Sequence, residues 1–348
     1  MRKTIFIILF LLFCFSTKAQ ETKSLYDTTF LALSEMLEGK QPVDFKKAVF
    51  LVENSFLENK LDYQQFCKAI DYYKTLCEQI IISRELQYQE SDKDKVAIYA
   101  AVFTVMKDTV PIQNGNGEII FNLPLEYDFE DITGDENWTS MFVTKLLMSH
   151  KGNCHSLPYL YKIITEEFGE KAYLAYAPNH IYIKQHCKAF GWYNTELTSG
   201  MFPIDSWLMA SGYVHLKAVQ NGIFMDTLSQ KQSIAACMID LAQGYEKKYG
   251  IEDGAFIIKA CKKVFEYYPN NINAMLLQAE TKMTFWKTDT TQSKEEKQNE
   301  FVEIQGLYTQ IHELGYRAMP EEMYLDWLVS LKEEKHKYQN KKINLNIK

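Results

Sequence analysis

The segment Lys151–Pro158, with the sequence KGNCHSLP, and the apolar pattern that follows it constrain the fold most. Apolar residues recur every three or four positions after Cys154, which predicts an amphipathic helix that ends near Gly169. These positions are Leu157, Leu160, Ile164 and Phe168. Three predicted strands follow, over residues 172–177, 180–184 and 192–198. A helix followed by adjacent strands predicts a small α+β core over residues 136–228.

The rest of the chain has mostly helical periodicity. The length of 348 residues favours about two domains. Residues 20–135 are predicted to form an N-terminal helical region, with a turn-rich loop from Pro111 through QNGNGE. Residues 229–348 are predicted to form a C-terminal helical region, which contains two helices joined by a Tyr-Pro-Asn-Asn turn.

The first 19 residues have the pattern of a secretory signal peptide. Arg2 and Lys3 precede a short apolar run, and Thr17 and Ala19 place small residues where cleavage occurs. The sequence therefore predicts an exported protein, periplasmic or extracellular. Lipid anchoring at Cys14 is a minor alternative, and no later run is apolar enough to span a bilayer.

Composition argues against several classes of function. The chain carries 45 acidic and 38 basic residues without a basic tract, so no nucleic-acid partner is expected. No cofactor or metal site is predicted, since neither a CxxC pair nor an HExxH motif occurs. His180, His186 and Cys187 lack a fourth ligand. Six cysteines follow the predicted signal peptide, and their irregular spacing leaves disulfide pairing open.

Cys154 is the candidate nucleophile, because the N-terminus of a helix favours the thiolate and offers N–H groups to an oxyanion. His180 heads a predicted strand and is the candidate base. Glu196 and Asn194 lie two residues apart, on one face of the next predicted strand, and either is able to orient the imidazole.

The set Gly152-Asn153-Cys154, Pro178-Asn179-His180 and Glu196-Leu197-Thr198 resembles the transglutaminase-like superfamily, which shares the papain-like order of Cys, His and an acidic or amide residue. The resemblance implies a cysteine at a helix N-terminus packed on an antiparallel sheet. Members commonly carry Asp-Pro-Thr at the third site, where this chain has Glu196-Leu197-Thr198, so Asn194 stays open. A second oxyanion donor would lie upstream, with Asn137 and Trp138 as candidates. The C-terminal helices resemble tetratricopeptide repeats.

The resemblance implies acyl transfer through a thioester on Cys154. Hydrolysis of an amide or peptide is the first expectation, and cross-linking to an amine is the alternative. The competing class is a catalytically inactive scaffold that binds a protein or peptide through its helical regions. The expected partners are a peptide or protein substrate and a protein docked on the C-terminal helices.

Overall fold

The structure is a computed structural model that describes residues 23–113, 116–251, 254–340 and 343. It is mixed helix and sheet, with long helices and three small sheets, and this confirms the α+β class. The predicted signal peptide and Cys14 lie outside the described residues. Within the described part, no helix combines the length and the apolar character needed to cross a membrane.

The elements are labelled in chain order. The helices are α1 (residues 23–38), α2 (Phe45–Phe56), α3 (Tyr63–Ser83), α4 (Lys93–Lys107), α5 (Val143–Ser149), α6 (Ser156–Glu166), α7 (Asp205–Ala210), α8 (Leu216–Gln220), α9 (Gln230–Tyr249), α10 (Ala255–Phe265), α11 (Ile272–Thr288), α12 (Lys294–Glu313), α13 (Glu321–Glu333) and α14 (Lys335–Tyr338). The strands are β1 (Val110–Gln113), β2 (Ile119–Asn122), β3 (Glu126–Tyr127), β4 (Lys151–Gly152), β5 (Tyr173–Ala177), β6 (His180–Cys187) and β7 (Gly191–Thr195). A 3₁₀ turn occupies Trp138–Met141.

One compact unit joins the chain up to Asp62 with Gln230–Lys297. Helix α9 packs against α2 and α10, and α10 packs against α11 across the Tyr-Pro-Asn-Asn turn. Asn271 ends that turn and caps α11, because its side chain accepts from the Ala274 N–H at 2.8 Å. The likeness of these helices to tetratricopeptide repeats stays a prediction.

The second unit joins Tyr63–Ser229 with Gln298–Lys348, so the compact units, unlike the predicted domains, are not consecutive in sequence. Its three-stranded antiparallel sheet has the order β5-β6-β7, and α6 packs on β5 and β6. The predicted apolar face of α6 is buried, with Leu157, Leu160 and Ile164 fully covered. The helix itself begins at Ser156, and Cys154 lies in the turn just before it.

Strands also occur where the sequence predicted only helices and a loop. Val110–Gln113 and Ile119–Asn122 pair antiparallel, so the start of the predicted turn-rich loop, at Pro111 to Gln113, is a strand instead. Pro111 suggested a break because it has no N–H to donate, but an edge strand tolerates proline. Downstream, β3 pairs in parallel with β4, which places Tyr127 opposite Gly152.

Candidate active site

The turn before α6 is organised by the side chain of Asn153. Its Oδ1 accepts from the backbone N–H groups of His155 at 3.0 Å and Ser156 at 3.2 Å, and the Ser156 hydroxyl accepts from the Asn153 N–H at 3.1 Å. These reciprocal bonds resemble a capping box. In the described chain, the N–H of Cys154 between them has no acceptor. It is therefore available to bind an oxyanion beside the thiol.

Gly152 has no room for a side chain. A Cβ atom there would lie 2.5 Å from the Ser156 hydroxyl oxygen and 2.9 Å from a methyl carbon of Leu146. Glycine thus allows strand β4 to approach the start of α6 closely, and this approach fixes the backbone that leads into Cys154.

A two-residue turn brings His180 to the thiol. Ala177 and His180 pair across it, and Asn179 adopts the left-handed conformation with φ of 55°, which asparagine tolerates better than most residues. The Cys154 sulfur lies 3.7 Å from the Asn179 carbonyl oxygen. The start of β6 therefore lies against the N-terminus of α6, as the sequence predicted.

Glu196 is the acidic partner of His180. Its Oε2 lies 2.6 Å from the imidazole Nε2, and both side chains are buried. Its other oxygen, Oε1, accepts from the N–H of Thr198 at 2.8 Å and from the Thr198 hydroxyl at 2.6 Å. The carboxylate is held from both sides, so it fixes the orientation of the imidazole and leaves Nδ1 as the nitrogen able to exchange a proton with sulfur.

The charges of the three groups are mutually dependent. Burial opposes ionisation of the Cys154 thiol, but the interactions with His180, Tyr324 and His155 together outweigh burial and lower the thiol pKa. Burial also disfavours the imidazolium, yet the charge of Glu196 and the contact with Cys154 raise the pKa of His180 to about 10. Burial likewise opposes ionisation of Glu196, and His180 lowers its pKa. The site therefore favours a thiolate beside an imidazolium.

The pKa values of two other buried cysteines are raised rather than lowered. Burial raises the pKa of Cys77 well above its ordinary value, and it raises the pKa of Cys261 to about 12. Neither thiol has a histidine among the groups that shift its pKa. The lowered pKa of Cys154 thus comes from its neighbours rather than from burial.

Asn194, the other candidate for the third position, does not contact His180. Its amide nitrogen donates to the Pro203 carbonyl at 3.2 Å and to Asp205 Oδ1 at 2.8 Å. Asn194 pairs with Lys184, four residues along β6 from His180, whereas Glu196 lies two residues further along the antiparallel strand and therefore closer to His180. Strand register, rather than the face of the strand, separates the two candidates.

The remaining sequence candidates have other surroundings. Asn137 accepts from the Thr139 N–H at 3.1 Å and so caps the 3₁₀ turn that contains Trp138. The His155 ring lies 2.9 Å from the Met141 carbonyl. His186 lies six residues along β6 from His180, about 20 Å for an extended strand. In the part of the chain that the structure describes, no three His, Cys, Asp or Glu side chains are grouped as metal ligands would be.

Helix α13 contributes residues that the sequence did not reveal. The Tyr324 hydroxyl lies 3.1 Å from His180 Nδ1 and 3.4 Å from the Tyr127 hydroxyl. The Trp327 ring meets the imidazole edge-on at 5.4 Å and stacks on Trp207 at 4.3 Å. Tyr324 lies 144 positions after His180, and no local motif marks its position. These aromatic rings exclude water from the imidazole.

The chain was compared with known proteins in three ways. No family model matches it, and neither a curated protein nor a solved structure is detectably similar to it. The resemblance to the transglutaminase-like superfamily therefore depends on the residues and geometry of this chain alone.

Proposed function

We propose that this protein is a thiol enzyme with a transglutaminase-like core that hydrolyses amide or peptide bonds through an acyl-enzyme on Cys154. The observation that carries the proposal is the buried contact of His180 with Glu196 beside a thiol whose pKa is lowered. A thiolate, its base and a group that fixes the base are the parts that nucleophilic catalysis requires.

The reaction follows from the positions of these groups. The Cys154 thiolate attacks the carbonyl carbon of an amide, and the oxyanion accepts from the free N–H of Cys154. His180 Nδ1–H donates its proton to the leaving nitrogen as the carbon–nitrogen bond breaks, which leaves a thioester. His180 then takes a proton from water as water attacks the thioester. The carboxylic acid departs, and the thiolate and imidazolium are restored. Glu196 stays ionised and balances the imidazolium charge throughout.

The predicted signal peptide places this chemistry outside the cytoplasm, so a peptide or protein of the periplasm or the exterior is the proposed substrate. Water is the proposed acceptor because it needs no second binding site. An amine in place of water would give cross-linking by the same thioester.

A catalytically inactive scaffold is the second candidate. The observation that favours it is the burial of the site, since Cys154 is only 7% exposed and the His180 side chain is fully covered. In that case the core would support a protein or peptide partner bound to the helical regions.

The test is incubation of the protein with a mixed peptide pool, with and without a biotinylated amine, followed by mass spectrometry. The proposal expects new carboxyl termini, and it expects Cys154→Ser to abolish them. Cys67→Ser is the matched control, because Cys67 is the half-buried cysteine of α3 and should leave hydrolysis unchanged. Absence of cleavage by the wild-type protein, with α13 displaced as described below, would favour the scaffold.

A further inference from the structure

Helix α13 closes the candidate site. It begins after Pro320, and its inner face presents Tyr324 and Trp327, both buried, to the imidazole of His180. Trp327 also donates from its indole nitrogen to the Trp207 carbonyl at 2.9 Å, which ties the helix to the wall beside His180. With α13 in this position, Cys154 is only 7% exposed and the His180 side chain is fully covered.

The Tyr324 hydroxyl contacts the same atoms of His180 and Cys154 that a substrate must approach. It lies 3.1 Å from Nδ1, the nitrogen of His180 that must exchange a proton with sulfur. The same hydroxyl interacts with the Cys154 thiol. A hydroxyl that contacts both the sulfur and Nδ1 competes for these atoms with the carbonyl carbon and the leaving nitrogen of an amide. The closed state is therefore stabilised by the groups that the reaction uses.

The two ends of α13 are attached differently. Ahead of the helix, the Asn179 side chain donates to the Met319 carbonyl at 2.8 Å. Beyond it, backbone bonds join Ile204 to Tyr338 and Asn340 to Phe202, each at 2.8 Å. The Tyr213 hydroxyl also donates to the Met323 sulfur at 3.0 Å. Among the described residues, side-chain bonds therefore hold the start of α13 and backbone bonds hold the segment after its end, which makes the start the weaker attachment. Opening is thus expected to begin near Met319.

We propose that α13 is a displaceable cover that keeps the thiol latent, with Tyr324 in the place of the substrate acyl group. This regulation of the site rests on the proposed function, because only a reacting thiol needs a cover that opens. A peptide substrate must displace Tyr324 before its carbonyl reaches sulfur. Catalysis therefore depends on how often α13 opens as well as on the chemistry at Cys154.

The first test is alkylation of the full-length protein with iodoacetamide, followed by hydrogen exchange and mass spectrometry. A carboxamidomethyl group on the buried sulfur takes the place of the contact with Tyr324, so modification of Cys154 is expected to keep α13 displaced. We expect backbone amides of Glu321–Glu333 to exchange at least about tenfold faster after modification. Amides of Ala255–Phe265 in α10 are the internal reference and should not change.

The second test compares alkylation rates of Tyr324→Phe and wild type, each measured on the alkaline plateau of its rate profile, where thiol ionisation no longer differs. Loss of a hydrogen bond to a charged group is expected to speed alkylation of Cys154 at least about fivefold relative to Cys67. Tyr182→Phe is the matched control, because the Tyr182 hydroxyl is buried within the described chain without a hydrogen-bond partner.

Three results would overturn the proposal that α13 covers the thiol. In the first, wild-type Cys154 is alkylated as fast as Cys67 and hydrogen exchange in α13 does not change. In the second, Cys154 is alkylated at the same rate in Tyr324→Phe and in wild type. In the third, Cys154 is alkylated in neither protein. Failure of the proposed function gives a different result. In that case α13 is displaced as expected, yet the opened protein cleaves no peptide and forms no acyl-enzyme.

Discussion

Replacement of Glu196 by glutamine should return the Cys154 thiol toward ordinary acidity. All groups that meet the carboxylate are placed to donate, namely His180 Nε2–H and the N–H and hydroxyl of Thr198. A glutamine amide offers one acceptor oxygen and one NH₂ group. If the glutamine NH₂ group faces the His180 ring, Nε2 must accept a hydrogen bond and the ring proton moves to Nδ1. An imidazole with its proton on Nδ1 cannot take a proton from sulfur.

The magnitude follows from the charge that is removed. The charge of Glu196 is the largest influence that raises the pKa of His180, from 6.5 to about 10, against burial. Without it, only the contact with Cys154 opposes burial, so the pKa of His180 should fall and the imidazole should lose most of its charge near pH 7. The Cys154 thiolate then loses its counter-charge, and its pKa should rise to its ordinary value of 9.0 or above. A thiol with that pKa is only about 1% ionised at pH 7.

The assay is the ultraviolet absorbance of the thiolate, recorded from pH 5 to 9 and corrected with a matched Cys154→Ser protein. Absorbance reports ionisation whether or not reagents reach the sulfur, and Tyr324 is present in both proteins, so the α13 cover does not bias the comparison. The wild-type midpoint should lie below 9.0, and the Glu196→Gln midpoint at or above it. Glu166→Gln makes the same change at an acid that pairs with Lys162, and it should leave the midpoint unchanged. Equal midpoints of thiol ionisation in Glu196→Gln and wild type would show that Glu196 does not control the pKa of Cys154.

Three further predictions concern stability, measured by urea unfolding. Gly152→Ala should lower the unfolding free energy by about 1–3 kcal/mol, because the new Cβ meets Ser156 and Leu146. Gly306→Ala is the control in open space within α12 and should raise the unfolding free energy by about 0.5–1 kcal/mol. Equal effects of the two substitutions would contradict this prediction. Asn153→Ala should cost about 1–2 kcal/mol through loss of the cap on α6, and a neutral effect would count against it. The lowered pKa of Glu196 contributes stability above about pH 4.5 that is lost as the pH falls through the folded value. Wild type should therefore lose more stability than Glu196→Gln between pH 5 and 3, and parallel losses would exclude this linkage.

The core of the candidate site could be predicted because its signals are local. The apolar spacing after Cys154 defines a helix, and a strand that returns along this helix brings His180 to its start. The choice between Glu196 and Asn194 could not be made from alternation, because both residues lie on one face of the strand. The structure separates them by register, since Asn194 pairs with Lys184 and Glu196 lies closer to His180. Periodicity reports which face of an element is buried, but not which residues of the neighbouring strand lie opposite it.

The cover could not be predicted because it depends on contacts distant in sequence. Helix α13 has an ordinary amphipathic pattern, and nothing in it indicates that Tyr324 meets His180 rather than the interior of a helical repeat. The hairpin of β1 and β2 was missed for a different reason. Pro111 and the glycines that follow are typical of loops, and pairing of the two short strands supplies the hydrogen bonds that make the segment regular.

Capture of the acyl-enzyme tests most directly whether Cys154 is a nucleophile. Wild-type protein and Tyr324→Phe are incubated exhaustively with an activated p-nitrophenyl ester, quenched in acid, and mapped by peptide mass spectrometry. We expect one acyl group per chain on Cys154 in both proteins, released by water at neutral pH and absent from His180→Ala. Absence of acyl groups on Cys154 in both proteins, while the half-buried Cys67 is acylated, would contradict the claim that this thiol is a nucleophile activated by His180 and Glu196.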